Sequence, residues 1–149
     1  MNLQSFLSLF VFSFLLGRLA TLWSVARPEK GPRIFHIKID KNEAILDIKI
    51  LKVTRLGTKV TGLLNHLSLP QNQGLLIKNT SKIHCNGMLF PIAVVFISRQ
   101  GTVTKIHKNV EPGQVCCGSR GTAHTLEINP DSNLLNNITE NSRLEFIPV

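Results

Sequence analysis

The chain has 149 residues and a formal net charge of +8, with 43% hydrophobic and 17% charged residues. This length corresponds to about one domain, and the composition is that of an ordinary globular protein. The absence of Tyr and the single Trp argue against a carbohydrate-stacking site or an aromatic cage. The sequence contains no phosphate-binding loop, dinucleotide fingerprint, serine elbow or zinc-ligand spacing, so it indicates no cofactor and no metal.

An apolar run from Phe6 to Gly17 lies in the N-terminal segment. Its length fits the apolar core of a signal peptide better than a membrane span, and Ser24-Val25-Ala26 offers the small residues that a signal peptidase needs. We therefore predict that residues 1–26 are a signal peptide or, alternatively, an uncleaved membrane anchor with Arg18 inside it. The protein is then either exported across the inner membrane or anchored in it. A soluble protein with a buried first helix is the third interpretation.

Nine of the 17 Lys and Arg residues lie between Arg27 and Lys59, directly after the apolar segment. This position favours an anionic membrane surface as partner, because each basic residue near such a surface contributes about 1 kcal/mol of binding. A membrane protein is a second candidate partner. Nucleic acid ranks lower because no nucleic-acid-binding motif or aromatic platform accompanies the charges. A basic face that only contacts solvent is the remaining interpretation.

Residues 27–33 contain two Pro and one Gly among charged residues and are predicted to be a linker. Residues 34–149 are predicted to form a single β-rich domain, because short alternating runs are separated by Gly, Pro and Asn. The fold class is mostly β: a small β-sandwich or open barrel with one or two short helices, preceded by the N-terminal targeting or anchor segment. The predicted strands are Ile34–Ile39, Ala44–Val53, Leu75–Lys78, Ile92–Ser98, Thr102–His107, Thr122–Ile128 and Arg143–Ile147.

The almost wholly apolar run Ile92–Ser98 predicts a central strand covered on both faces. Arg99-Gln100-Gly101 predicts a tight turn into the next strand, in which Val103 and Lys105 would share one face. Apolar residues that recur at spacings of three and four positions predict a short helix from Arg55 to His66. A second short helix through Asn137 would be capped by Asn129-Pro130-Asp131.

A series of short motifs between about Ile48 and Phe146 recurs in one known family. The motifs are Gly62-Leu63-Leu64, Leu69-Pro70, Gly74–Ile77, Ile83-His84-Cys85, Met88, Phe90–Phe96 and Leu126-Glu127. In their order and spacing the chain resembles domain-of-unknown-function family 192, also called uncharacterised protein family 0127, in the branch that carries a histidine. The resemblance implies a bacterial protein in a family whose biochemical activity is not established, and some relatives are associated with secretion or pilus assembly.

The departures from the family pattern fall on polar positions. Ala93 stands where the family has Asp, Asn79-Thr80 replaces Pro-Cys, Leu89 replaces Arg, and Asn129-Pro130 stands in place of the Gly that usually follows the Leu-Glu strand. The apolar positions are kept. A chain that keeps the core and loses the polar cluster resembles a retained scaffold more than an active site.

His84, Met88 and Glu127 are the candidate binding residues, and no catalytic residue is assigned. His84 precedes the central strand, but a general acid or base needs an orienting partner, and Ala93 cannot supply one. Glu127 on a neighbouring strand is the alternative partner. Cys85 adjoins His84, yet neighbours in an extended segment point to opposite faces and would not hydrogen-bond each other.

Three cysteines cannot all pair within one chain, and adjacent Cys116 and Cys117 would form a strained bond. A disulfide from Cys85 to either of them is one alternative, in an oxidising compartment. The simpler interpretation is that the three cysteines are small buried hydrophobic side chains. The sequence thus predicts an envelope-associated, non-catalytic binding or accessory module, linked by the resemblance to secretion or pilus assembly. The alternative is a small ligand-binding protein or enzyme that uses a cleft near His84.

Overall fold

The computed structural model describes residues 34–39, 45–53, 63–64 and 66–149 of the chain. The predictions for the targeting segment over residues 1–26 and for the linker over residues 27–33 lie outside these residues. Nearly all of the helix predicted from Arg55 to His66 lies outside them as well. Among the described residues, no helix has the length and apolar character needed to cross a bilayer.

The described residues form a mostly β domain, as the alternating runs predict. In the first strand, buried Phe35, Ile37 and Ile39 alternate with more exposed residues, which is the pattern of a strand with one face on a core. The described strands are β1 (Ile34–Ile39), β2 (Ile45–Val53), β3 (Gln73–Lys78), β4 (Lys82–His84), β5 (Ile92–Ser98), β6 (Val103–Val110), β7 (Val115–Cys117), β8 (Thr122–Ile128) and β9 (Leu144–Pro148). The described part of the chain also contains a short helix, α1 (Leu134–Asn137).

Seven of these strands form one sheet in the order β6-β5-β8-β3-β2-β1-β9, and β4 and β7 form a separate antiparallel ribbon. Strands β2 and β3 pair in parallel, whereas the other neighbours in the large sheet are antiparallel. The first two strands, β1 and β2, pair with each other as neighbours along the chain. Strand β5 is also internal to the sheet, between β6 and β8, as its apolar sequence predicts.

The two edge strands of the large sheet meet at one end. A bridge pairs Thr102 with Arg143, and the Leu144 amide donates to the carbonyl of Gly101. Gly101 has a φ of +89°, and a side chain there would collide with the Leu144 carbonyl, so only glycine permits this close approach. The sheet therefore curls into an open barrel.

Two hydrophobic clusters cover the two faces of the curled sheet. The inner core contains residues of β1, β2, β3, β5, β6, β8 and β9 and is covered by α1. The outer layer lies between the sheet and the β4–β7 ribbon. Its buried residues are Leu63, Leu69, Leu75, Ile77, Ile83, Cys85, Met88, Ile92, Val94, Phe96, Val110 and Cys116.

Three local features differ from the sequence prediction. Strands β4 and β7 were not predicted, because three residues are too few to show an alternation. The helix ending at Asn137 exists, but Asn133 precedes it and makes no side-chain cap. In β6, Val103 joins the inner core with Ile106, whereas Lys105 pairs with Phe96. A register shift between Phe96 and Ile97 separates Val103 from the face of Lys105.

Candidate functional site

Strand β4 divides the predicted site between two sides of the ribbon. Its central residue, Ile83, is buried, and its flanking residues are exposed. His84 therefore faces solvent, and its side chain makes no hydrogen bond or ion pair with any described residue. Cys85, the next residue, is fully buried in the outer layer. The expected opposition of His84 and Cys85 is confirmed.

Glu127 lies in the largely apolar outer layer, on the same face of β8 as Thr125, whose hydroxyl donates to the Thr80 carbonyl over 2.8 Å. Strand β8 places it directly opposite Leu75 of β3 and Val94 of β5, both members of that layer. Only 6% of Glu127 is exposed, and its carboxyl group has no hydrogen bond or ion pair within the described part of the chain. Burial raises the pKa of Glu127 to about 7, because an apolar environment penalises the charged form.

Two thiols share this layer with Glu127. Burial, reinforced by the nearby Glu127 charge, raises the pKa of Cys85 to about 11. Burial also raises the pKa of Cys116 to about 11, with a further contribution from Cys85. Cys117 is exposed, and all three cysteines are free. Since the thiolate is the nucleophile and the metal ligand, the two buried thiols are poorly suited to either role at neutral pH.

The structure brings Met88 and Glu127 into one layer but leaves His84 outside it. The contact between His84 and Glu127 that acid–base chemistry would need is absent. Over residues 34–39, 45–53, 63–64 and 66–149, no group of three or more His, Cys, Asp or Glu side chains is placed to hold a metal ion. The outer layer is a packed layer with a buried acid in it.

A cavity of about 400 Å³ opens at the end of the barrel where the edge strands meet. Its volume is within the range of small-molecule sites. It does not include His84, Met88 or Glu127. The lining residues come from β1, β3, β5, the β5–β6 turn, β8 and the start of β9: Lys38, Leu76, Lys78, Ile97, Ser98, Arg99, Gln100, Gly101, His124, Arg143, Leu144, Glu145 and Phe146.

The lining of this cavity is basic. Among the described residues it holds two lysines, two arginines and one carboxylate, that of Glu145, which is exposed and lies opposite Lys38 in the pairing of β1 with β9. His124 accepts a hydrogen bond at Nδ1 from the Asn79 amide over 3.2 Å. An anion is therefore the ligand that this cavity attracts.

Sequence reasoning missed this cavity because its charged residues are far apart in the chain. Lys38, Lys78, Arg99 and Arg143 lie on four separate segments, and none belongs to a local motif. The one available signal was the overall excess of basic residues, which gives no position. The closing of the sheet brings these residues together.

A family model described as DUF192, "Uncharacterized ACR", matches residues 37–146. The chain therefore belongs to this uncharacterised family. The comparison with curated proteins gives no match. The resemblance stated from the sequence is thus confirmed at the level of the family.

Two solved structures show the same fold. One, from Sinorhizobium meliloti 1021, is named as a proposed transcription regulator; it is 19% identical, with a TM-score of 0.66, and the match covers 80% of this chain and 98% of that one. The other is a protein of unknown function from Novosphingobium aromaticivorans DSM 12444, 16% identical with a TM-score of 0.65, covering 80% and 89%. At these identities the likeness concerns the fold alone.

Proposed function

We propose that this protein is a non-catalytic binding module of the bacterial cell envelope that docks on an anionic membrane surface through the basic end of its barrel. The basic cavity where the sheet closes is the observation that carries this proposal. The N-terminal apolar run, as a signal peptide or as an uncleaved anchor, would bring the domain to the membrane. If the protein takes part in secretion or pilus assembly, it would act there as an accessory to machinery in that membrane.

The outer layer supports a binding role rather than a catalytic one. A nucleophile needs a neighbouring base or a lowered pKa, whereas burial raises the pKa of both Cys85 and Cys116 to about 11. Glu127 has no histidine beside it among the described residues, and His84 is exposed on the other side of the ribbon. The alternative of a cleft enzyme at His84 gains no support from this geometry.

The basic end of the barrel favours an anionic partner because its positive charges are concentrated around one cavity. Two arginines and two lysines surround one cavity, whereas exposed basic residues such as Lys49, Lys82 and Lys108 lie elsewhere on the domain. Charges that converge on one place raise the local potential more than the same charges spread over the surface. This arrangement gives the domain a definite side with which to approach an anionic surface.

Vesicle flotation of the full chain tests this proposal. Partitioning into phosphatidylcholine vesicles measures the contribution of the apolar N-terminus, and the additional partitioning into phosphatidylglycerol vesicles measures the contribution of charge. We expect the double variant Arg99→Gln/Arg143→Gln to lose most of the additional partitioning, about 30-fold if each arginine contributes about 1 kcal/mol.

The matched control is Lys82→Gln/Lys108→Gln, which removes the same charge from residues that do not line the cavity. We expect this control to lose much less of the phosphatidylglycerol-dependent partitioning. Equal losses in the two double variants would contradict docking through the basic end. Preferential binding to duplex DNA over phosphatidylglycerol vesicles would contradict the membrane as partner.

A further inference from the structure

We infer that the cavity at the closed end of the barrel is a binding site for a phosphate monoester, held chiefly by Arg99 and Arg143. This inference rests on the proposed function, because it names the chemistry that the basic end recognises. The phosphate group can belong to a small soluble ester or to a lipid headgroup. Both sources present the same dianionic group to the cavity.

The balance of charges around the cavity favours a multivalent anion. Lys38, Lys78, Arg99 and Arg143 bring four positive charges, and Glu145 offsets one of them. A monocarboxylate would leave most of this excess uncompensated. A phosphate monoester carries close to two negative charges at neutral pH and has three terminal acceptor oxygens, which suits a cavity approached by cationic donors from several strands.

The two arginines are fixed on segments that are hydrogen-bonded to each other. Arg99 is in the β5–β6 turn, and Arg143 directly precedes β9. The bridge from Thr102 to Arg143 and the bond from the Leu144 amide to the Gly101 carbonyl hold these segments side by side. Arginine side chains bind phosphate through paired N–H groups. Fixed backbones lower the ordering cost when such groups close on a ligand.

The β5–β6 turn adds a further donor. The Ser98 hydroxyl oxygen accepts hydrogen bonds from the Gln100 amide over 3.3 Å and from the Thr102 amide over 3.1 Å. Its acceptor positions are thus occupied, and its own proton remains to donate. Ser98 lines the cavity, so a phosphate oxygen bound beside Arg99 would find a neutral donor on the same turn.

The floor of the cavity excludes a lipid tail from the barrel. Leu76, Ile97 and Leu144 line it but are 3%, 0% and 2% exposed, because their side chains already fill the inner core. A bound molecule therefore meets charged and polar groups at the rim and cannot enter the barrel. The ligand is a hydrophilic group, and the chain of a lipid would stay in its bilayer.

Isothermal titration of the full chain, solubilised in a non-ionic detergent, with glycerol 3-phosphate provides the test. We expect one site, with acetate and malonate binding at least 10-fold more weakly. Arg143→Gln should weaken glycerol 3-phosphate about 10-fold or more, because it removes charge-assisted hydrogen bonds. Arg143→Lys should give an intermediate affinity, because it keeps the charge and loses the paired donors.

The matched control is Arg120→Gln, which removes an exposed arginine that does not line the cavity. Its affinity should stay within about two-fold of wild type, since any effect comes only from screened long-range charge. Thermal melting of each variant verifies folding. Malonate binding as tight as glycerol 3-phosphate, or an equal loss in Arg120→Gln, would overturn the inference.

Vesicles containing phosphatidic acid separate the two sources of the phosphate group. If the group belongs to a lipid, the full chain prefers these vesicles to phosphatidylglycerol vesicles, and glycerol 3-phosphate displaces it. If the group belongs to a soluble ester, glycerol 3-phosphate binds without such a preference. Either result supports phosphate monoester chemistry.

Failure of this inference is distinguishable from failure of the proposed function. If Arg99→Gln/Arg143→Gln abolishes the charge-dependent vesicle binding while glycerol 3-phosphate does not bind, the phosphate site is wrong and membrane docking stands. If glycerol 3-phosphate binds at the arginines but phosphatidylglycerol adds nothing to vesicle partitioning, membrane docking is wrong. If neither glycerol 3-phosphate binding nor phosphatidylglycerol-dependent vesicle binding is observed, the phosphate site and membrane docking are both wrong.

Discussion

The two faces of the main sheet bury different kinds of side chain. The inner core is built from aliphatic residues and Phe35, whereas the outer layer holds Cys85, Met88 and Cys116 and encloses Glu127. The inner face is formed by a sheet that closes on itself, and the outer face is covered by a two-stranded ribbon. The difference indicates that burial in both layers stabilises the fold, while the outer layer also encloses a carboxyl group at a cost in stability.

The largest expected effect comes from removing an aromatic ring from the outer layer. Phe96 is fully buried and stacks edge-on with His107, with ring centroids 5.8 Å apart. We expect Phe96→Ala to lower the free energy of unfolding by about 3–5 kcal/mol, because a large buried ring leaves a cavity. Urea unfolding measures this.

Leu89→Ala is the control for this substitution, because Leu89 is 69% exposed. It should change stability by less than about 0.5 kcal/mol. An unchanged denaturation midpoint for Phe96→Ala would mean that the outer layer contributes little to stability, and the contrast between the two faces would then be far larger than the structure indicates.

The second effect concerns pH. The folded pKa of Glu127, about 7, lies above its ordinary value of 4.5, so the folded state keeps a proton that the unfolded state has released. The contribution of Glu127 to the free energy of unfolding is therefore fully present below about pH 4.5. It falls by about 3 kcal/mol as the pH rises through 7. Unfolding in urea at pH 5 and pH 8 should show this loss, and Glu127→Gln should remove most of it.

Glu145→Gln is the matched control for the pH experiment, because Glu145 is an exposed glutamate at the end of the barrel. Its pH dependence should follow that of wild type. If Glu127→Gln retained the full wild-type loss between pH 5 and pH 8, the carboxyl group would not be the buried acid of the outer layer.

A third, smaller contrast lies among the cysteines. At pH 7.5 we expect a water-soluble maleimide to label one thiol rapidly in the folded protein and three after unfolding. The exposed Cys117 is the rapid site, whereas Cys85 and Cys116 are buried and mostly protonated. Cys117→Ser should abolish the rapid labelling. Rapid reaction of two thiols in the folded state would show that the ribbon opens readily.

The smallest expected effect is at His84. Because His84 is exposed and makes no polar contact with the described residues, His84→Gln should change the free energy of unfolding by less than about 0.5 kcal/mol. It should also leave any cellular phenotype intact. If His84→Gln and Glu127→Gln both fold normally and both abolish that phenotype, a polar site that joins the two faces of the ribbon exists.

Much of the sheet was predictable from local sequence. The alternation in residues 34–39 and the apolar run of β5 identify strands with one or two covered faces, and β8 begins and ends where its pattern predicts. The burial of Cys85 opposite an exposed His84 also follows from the period of two in an extended chain. The pattern says less about β4 and β7, because short strands carry few alternations.

The candidate site was predicted only in part. Met88 and Glu127 were selected through the family resemblance, and the structure buries both. Nothing in the sequence indicated that Glu127 would lie in an apolar layer away from His84, because that depends on which face of β8 the ribbon covers. The basic cavity was also not predictable, since its four cations come from separate segments.

The sequence by itself determined where the seven strands of the large sheet lie, most of their apolar faces, and the family to which the chain belongs, because these depend on neighbours within a few residues. Only the tertiary structure decided where the charges gather and which carboxyl group is buried. Closure of the sheet, held by Gly101 and the bridge from Thr102 to Arg143, is a contact between residues 40 or so positions apart in sequence. Such contacts reflect the packing of the whole sheet, and no local pattern encodes them.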